Sequence, residues 1–486
     1  MATMRAKTGQ RVLSFTFCTG LLAMMFTTPG PAAGQASKDF ANRSVQVSAE
    51  ATLFDLGLKK LGTLKPGTSI DVLQEIKDRK GEHWLKVRSD LGIGYVRAEH
   101  TNIDKDPKHS PTHAADGDGP TEIALPANPA AVLDVGLRLV RSLEQSAPSD
   151  NVAVSPYGLW SNARLWLAGA RGKTREQLLN QLQFDERTGA TVSSEAFTSA
   201  DRILKRPQIT LQPEFAQFVK DAHVSVGDSM FDDQARVDLN SWIADRSRGR
   251  INNFYSRDQW DSDAALILLN VCTLDAKWKE PFDDQQTADA PFYSADGAEH
   301  MVRMMVQQTE LPWISTDDFS GVMLPYQEND LAAVILLPTE GKALDQMTES
   351  LSGLRAHKTL QSFREELVLL LLPKFEINTQ IDLFEALNIK ATQGGAADFS
   401  GISEQPVEIA GVQQQVSLAV DAEGTTAAAA TATQFGTSSV GKTRPKVLQC
   451  NRPFLFMVVH QPSLTPLFLS TIKHPTTPGN ERRSEK

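Results

Sequence analysis

The chain has 486 residues, 41% of them apolar and 22% charged, and a formal net charge of −10. That length fits two or three domains, or one large domain with an appendage. The acidic balance argues against nucleic acid or an anionic membrane surface as a partner, because both favour basic proteins.

Arg5, Lys7 and Arg11 open the chain, and residues 12–26 are apolar apart from Ser14, Thr16, Thr19 and Gly20. Small residues follow at Ala32, Ala33, Gly34 and Ala36. This order predicts a signal peptide over residues 1–36 and a secreted, extracellular or periplasmic protein, cleaved after Ala36 or, second choice, after Ala33. The apolar stretch is short for a bilayer span and no later one reaches its length, so no membrane span is expected. Past the signal only Cys272 and Cys450 remain, without metal or redox spacing. Free thiols and a single bridge are both open to them.

Residues 42–103 alternate short strand patterns with turns, at 44–47, 59–64, 69–73, 84–87 and 94–96. Strands so short and closely spaced predict a small barrel. The runs LGTLKPGTSIDVLQ and HWLKVRSDLGIGYVRAEH resemble bacterial SH3-like domains. The resemblance implies an all-β module that binds cell-wall peptides or a protein partner. Trp84 and Tyr95 are either groove residues or part of a very small core. Residues 104–121 are a flexible linker by composition. His109 and His113 within it have metal-pair spacing, but Pro111 lies between them and a third ligand is missing, so no metal is expected.

From residue 122 the pattern is mixed. Residues 130–145 form an amphipathic helix, and Ser155 with Pro156 caps a second that runs to residue 170. Thr174 and Gln177 stand in capping-box spacing at the head of a third, 174–182. Strands follow at 265–271, 321–324, 331–337 and 367–372, then a hairpin of 453–460 and 466–472. Helices first and strands later, without regular βαβ alternation, is an α+β order. Residues 424–440, GTTAAAATATQFGTSSV, are seventeen positions free of charge and proline. Taken alone they suit a low-complexity linker or a segment that is loop in one state and strand in another.

Several segments decide between these. NVAVSPYGLW (151–160), LAGARGKTREQLLNQLQF (167–184), LNSWIADRSRGRI (239–251) and LILLNVCTLDAKWKEPF (266–282) occur in order. VMLPYQENDLAAVILLP (322–338), LPKFEI (372–377), DFSGI (398–402), VDAEGTTAAAAT (420–431) and CNRPFLFMVVH with PLFLSTI (450–472) complete the series. Together they resemble the serpins, across residues 122–475. The resemblance implies three β-sheets, eight to nine helices and an exposed reactive loop, with residues 476–486 a disordered tail. It also implies a monomer that is not an enzyme, needs no cofactor, and traps a target serine protease in a covalent acyl complex. In that mechanism the cleaved loop inserts into the main sheet as a new strand. Ser155, Pro156, Asn270, Trp278 and Gln414 fall where the family opens its sheet.

An inserting segment must carry no charge to bury, no proline to break the ladder, and small side chains. Residues 425–438 satisfy all three and would span on the order of 45 Å. Hydrogen bonds of about 1 kcal/mol each would contribute about 10 kcal/mol. After Glu423 and Gly424, Thr425, Ala427, Ala429, Thr431, Thr433 and Phe435 share one face, which the family turns inward. Thr426, Ala428, Ala430, Ala432 and Gln434 share the other. The family's scissile residue lies fourteen positions after the hinge glycine, which selects the bond between Ser438 and Ser439 and elastase-like or subtilisin-like proteases. Lys442 and Thr443 are the runner-up, for trypsin-like proteases.

Three departures stand out. Ala422 occupies the place of an acid, so an ion pair at the loop base is lost. Gly158 and Gln414 replace the family's serine and histidine, and a Gln414–Asn270 hydrogen bond is the expected substitute. The chain between Phe184 and Ser199 is short, so the helix carrying polyanion sites in some relatives is expected to be missing, and with it any heparin-like cofactor. A non-inhibitory serpin acting as a binding or scaffold protein is the alternative function. A hydrolase finds no support, as neither Gly-x-Ser-x-Gly nor HExxH occurs.

Overall fold

The computed structural model describes residues 43–46, 51–54, 60–65, 69–77, 83–89, 92–97, 121–389, 397–407, 409, 412–425 and 444–476. The signal peptide, the linker over 104–120, residues 426–443 with both candidate reactive bonds, and residues 477–486 lie outside them. The chain divides into two compact units, residues 1–116 and 117–486.

The first unit is a six-stranded antiparallel sheet. In spatial order its strands are Arg43–Gln46, Ser69–Lys77, His83–Ser89, Gly92–Arg97, Ala51–Phe54 and Lys60–Leu64. Leu64, Ile70, Leu85, Val87 and Val96 are buried. Leu85 and Val87 keep the period of two that places alternate side chains on one face. The strand Ala51–Phe54 had no counterpart in the sequence pattern. The side chains of Trp84 and Tyr95 lie outside the description.

The second unit packs eight α-helices against several sheets, counted among the described residues. The helix Pro129–Ser146 starts where the Asn128 carboxamide accepts from the Ala131 amide at 3.2 Å and proline occupies the first turn. The helix Pro156–Gly169 starts at Ser155, whose Oγ accepts from the Gly158 amide at 2.9 Å; such a cap contributes about 1 kcal/mol. This second helix is buried on nearly every side, so its apolar residues show no single stripe. Tyr157 meets Phe197, and Phe197 meets Phe468, edge to face at 5.3 and 5.9 Å. The third helix, Gly172–Leu182, lacks the expected capping box. The Thr174 hydroxyl instead accepts from the Asp398 amide at 2.9 Å, a partner 224 residues away that no local motif reveals.

The predicted hairpin is present as Phe454–His460 and Thr465–Ile472, buried throughout. It joins a nine-stranded sheet through Leu331–Pro338 on one side and Val152–Val154 on the other. A 17-residue strand, Glu299–Ser315, makes that sheet continuous by pairing with Arg364–Pro373 and then with Phe319–Pro325. Where the chain is short after Phe184, a strand stands in place of a helix: Thr188–Ser194, antiparallel to Thr121–Pro126. It turns directly into Phe197–Lys205. Among the described residues no helix is long and apolar enough to cross a membrane.

Candidate functional site: an open seam and a folded-back hinge

Two ladders lie edge to edge without joining. One is the three-stranded sheet Ser225–Asp228, Phe197–Lys205, Leu266–Leu274; the other is the pair Phe375–Asp382 and Gln413–Val420. Leu266–Leu274 and Gln413–Val420 lie side by side, yet no ladder joins them. Backbone groups along such a seam are available to a strand entering between the two.

In the middle of the seam the expected Gln414–Asn270 bond is not formed. Gln414 Oε1 accepts from the Ser155 amide at 2.9 Å and its Nε2 donates to the Ser155 carbonyl at 3.0 Å. Asn270 turns the other way, donating through Nδ2 to Ser199 Oγ at 2.9 Å and Asp201 Oδ1 at 2.8 Å. Each amide is satisfied on its own side, so parting the seam here breaks neither set of bonds.

The head of the seam is closed by the hinge. Asp421 Oδ1 accepts from the amides of Glu423 and Gly424 at 2.9 and 3.1 Å, and the chain reverses. Asx turns of this kind arise because a short carboxylate can replace a backbone acceptor. Gly424 and Thr425 then run antiparallel to Lys277 and Ala276. A side chain at position 424 would bring its Cβ within 2.2 Å of the Ala276 carbonyl oxygen, so close approach requires glycine. The amides of Trp278 and Phe282 donate to the carbonyls of Glu423 and Ala422, each at 2.8 Å. Trp278 Nε1 donates to the Asp421 carbonyl at 2.9 Å.

Trp278 is fully buried and stacks on Tyr326 with ring centroids 4.5 Å apart and planes 11° from parallel. The Tyr326 phenol lies 2.6 Å from the Thr425 hydroxyl, and both side chains are completely enclosed. Thr425, first of the inward-facing set, is thus inside the sheet already. Ala422, in the place of an acid, is buried at 5% exposure.

A family model described as Serpin (serine protease inhibitor) matches residues 130–475. The chain belongs to the serpin family. It is 30% identical over 375 residues to the leukocyte elastase inhibitor of Sus scrofa, covering 70% of this chain and 97% of that protein. It is 28% identical over 371 residues to plasminogen activator inhibitor 1 of Sus scrofa, covering 70% and 91%. The solved structure of native protease nexin-1 with heparin superimposes with a TM-score of 0.61 at 24% identity, covering 72% of this chain and 100% of that one. Uncleaved ovalbumin gives 0.62 at 21%, covering 71% and 99%. These two likenesses are of fold.

Beneath the seam this serpin carries a buried polar network. Asp201 Oδ2 accepts from Ser161 Oγ at 2.7 Å and pairs with Arg164 Nη2 at 3.0 Å, with side chains only 7% and 6% exposed. Arg164 also lies over the Trp160 ring, 5.3 Å from its centroid. The sequence motifs singled out Ser155, Pro156, Asn270, Trp278 and Gln414 and passed over Tyr326, Asp421, Arg164 and Asp201. Of these only Asp421 left a trace, an aspartate three residues before a glycine, which is a turn signal. Among the described residues no cluster of His, Cys, Asp or Glu suits a metal ion.

Among the described residues both cysteines, Cys272 and Cys450, are free and buried. Cys272 donates to Asn270 Oδ1 at 2.9 Å, and burial pushes its thiol up to about 12. Burial raises Cys450 as well. Because the thiolate is the reactive form, neither should be alkylated by iodoacetamide at pH 8 until the protein is denatured. Labelling of the native protein read by mass spectrometry checks this, and fast native labelling would contradict the buried placement.

Proposed function

We propose that this serpin is a secreted inhibitor of serine endopeptidases that acts as a suicide substrate, not as an enzyme. One observation carries the reading: in the uncleaved chain Gly424 and Thr425 already form ladder rungs at the head of a sheet whose two halves are unpaired. Cleavage beyond the hinge frees the following residues to continue the ladder. Their lack of charge and proline removes the usual obstacles. The reactive bond is proposed between Ser438 and Ser439, and the small side chain of Ser438 favours elastase-like or subtilisin-like targets. The relative named leukocyte elastase inhibitor points the same way. No cofactor is invoked. The signal-like residues 1–36 support export, and the N-terminal sheet is proposed as an SH3-like module holding a cell-wall peptide or a protein.

Incubation with elastase, subtilisin and trypsin, followed by denaturing gels and sequencing of the released fragment, tests this. The expected result is a denaturant-resistant complex with elastase or subtilisin and a fragment beginning at Ser439. A fragment beginning at Thr443 would move the bond to Lys442. Clean cleavage with no complex for any of the three would defeat the inhibitory reading and leave the scaffold alternative.

A further inference from the structure

We infer that Tyr326 is a positioning residue for strand insertion: its phenol holds Thr425 in the seam of the uncleaved chain and sets the register from which insertion proceeds. This rests on the inhibitory reading above. Tyr326 is not merely near the hinge. Its backbone bridges Trp278, the Lys279 amide donates to the Pro325 carbonyl at 2.9 Å, and the Gln327 amide donates to the Lys277 carbonyl at 2.8 Å. These bonds fix the phenol against Ala276 and Lys277, the two residues that pair with the hinge. The stack on Trp278 leaves the ring one orientation.

The Tyr326–Thr425 contact therefore acts as a ruler. A slip of one residue would turn the Thr425 side chain to the opposite face. A slip of two would bring Ala427 opposite the phenol, and one of four Ala429; neither carries a hydroxyl. In these even registers the enclosed phenol loses its partner, a loss that buried polar groups resist, whereas a slip of one would set Thr426 before the phenol only by turning the whole inward set of side chains outward. Burial raises the phenol's pKa, so it keeps its proton and the bond persists across the physiological range.

The test uses the full chain with Tyr326→Phe, Thr425→Val and the double variant. Phenylalanine keeps the ring on Trp278, and valine keeps the shape of threonine. Backbone hydrogen exchange at Gly424 and Thr425 should speed up about 5- to 100-fold in each single variant, with no further change in the double. Exchange along Leu266–Leu274 should stay as in the wild type. With elastase and subtilisin, the moles of serpin consumed per mole of protease trapped should rise severalfold, while loop cleavage is no slower. Wild-type exchange in Tyr326→Phe, or additive effects in the double variant, would overturn the assignment. A wild-type chain that traps neither protease would sink the inhibitory reading instead, and exchange would still decide whether Tyr326 holds the hinge.

Discussion

Thr425→Arg is expected to convert this serpin from an inhibitor into a substrate that proteases cut and leave. Position 425 is completely enclosed, with the Tyr326 phenol 2.6 Å from its hydroxyl. A guanidinium there would lie out of water without a counter-ion, at a cost of several kcal/mol. The hydrogen bonds gained on insertion are individually small, about 1 kcal/mol each, and those farther along the segment form only after this first rung. Arginine therefore raises the barrier at the start and gains nothing before it. Each 1.4 kcal/mol slows a step about tenfold, so several kcal/mol let hydrolysis of the acyl-enzyme win by about three orders of magnitude. Gels should show complete cleavage, no stable complex and active protease at the end. A variant that traps protease at wild-type stoichiometry would refute insertion through this seam.

How much of this was legible beforehand depends on the range of the interaction. The Ser155–Pro156 cap and the closing hairpin rest on neighbours in the chain and came out within a residue or two. Of the proposed hinge and inserting strand, only Gly424 and Thr425 fall among the described residues, and freedom from charge and proline is legible because it is a property of the segment itself. Thr174 misled because its hydroxyl serves Asp398, far along the chain. Gln414 and Asn270 misled for a related reason. They face the same seam, but each found a nearer partner, Ser155 for one and Asp201 with Ser199 for the other. The strand Thr188–Ser194 exists because Thr121–Pro126 lies beside it. The contribution of Tyr326 depends on a register across the sheet, and nothing in PYQEND announces that.

The second large effect concerns Asp201→Ala. The carboxylate accepts from Ser161, Arg164 and Asn270 at 2.7, 3.0 and 2.8 Å. Removing it strands the Arg164 guanidinium in a nearly closed site, where the remaining carbonyl of Ser161 at 3.2 Å is a weak substitute. Breaking one side of a buried pair costs about 3–5 kcal/mol. For a unit as large as residues 117–486, an unfolding entropy of about 2.1 cal/mol/K per residue gives about 1.3 °C per kcal/mol, so calorimetry should show the unfolding midpoint falling by about 5 °C. Asp201→Asn keeps the shape and one acceptor oxygen, enough for Ser161 and Arg164 while the Asn270 bond is lost, so its loss should be smaller. A midpoint unmoved in Asp201→Ala would mean that Arg164 reaches water and that this network does not pin Phe197–Lys205 to the helix below.

The thiol of Cys272 has one more consequence. It pins the Asn270 carboxamide at 2.9 Å, and that carboxamide oxygen in turn closes the space over Gly158. A methyl group added at 158 would lie 2.8 Å from Asn270 Oδ1 and 3.3 Å from the sulfur. The two positions are therefore not free to drift separately. A lineage that gains a side chain at 158 must also loosen the hold that Ser199, Asp201 and Cys272 together keep on Asn270. Among descendants of this chain, glycine at 158 should be lost only together with a change at one of those three positions.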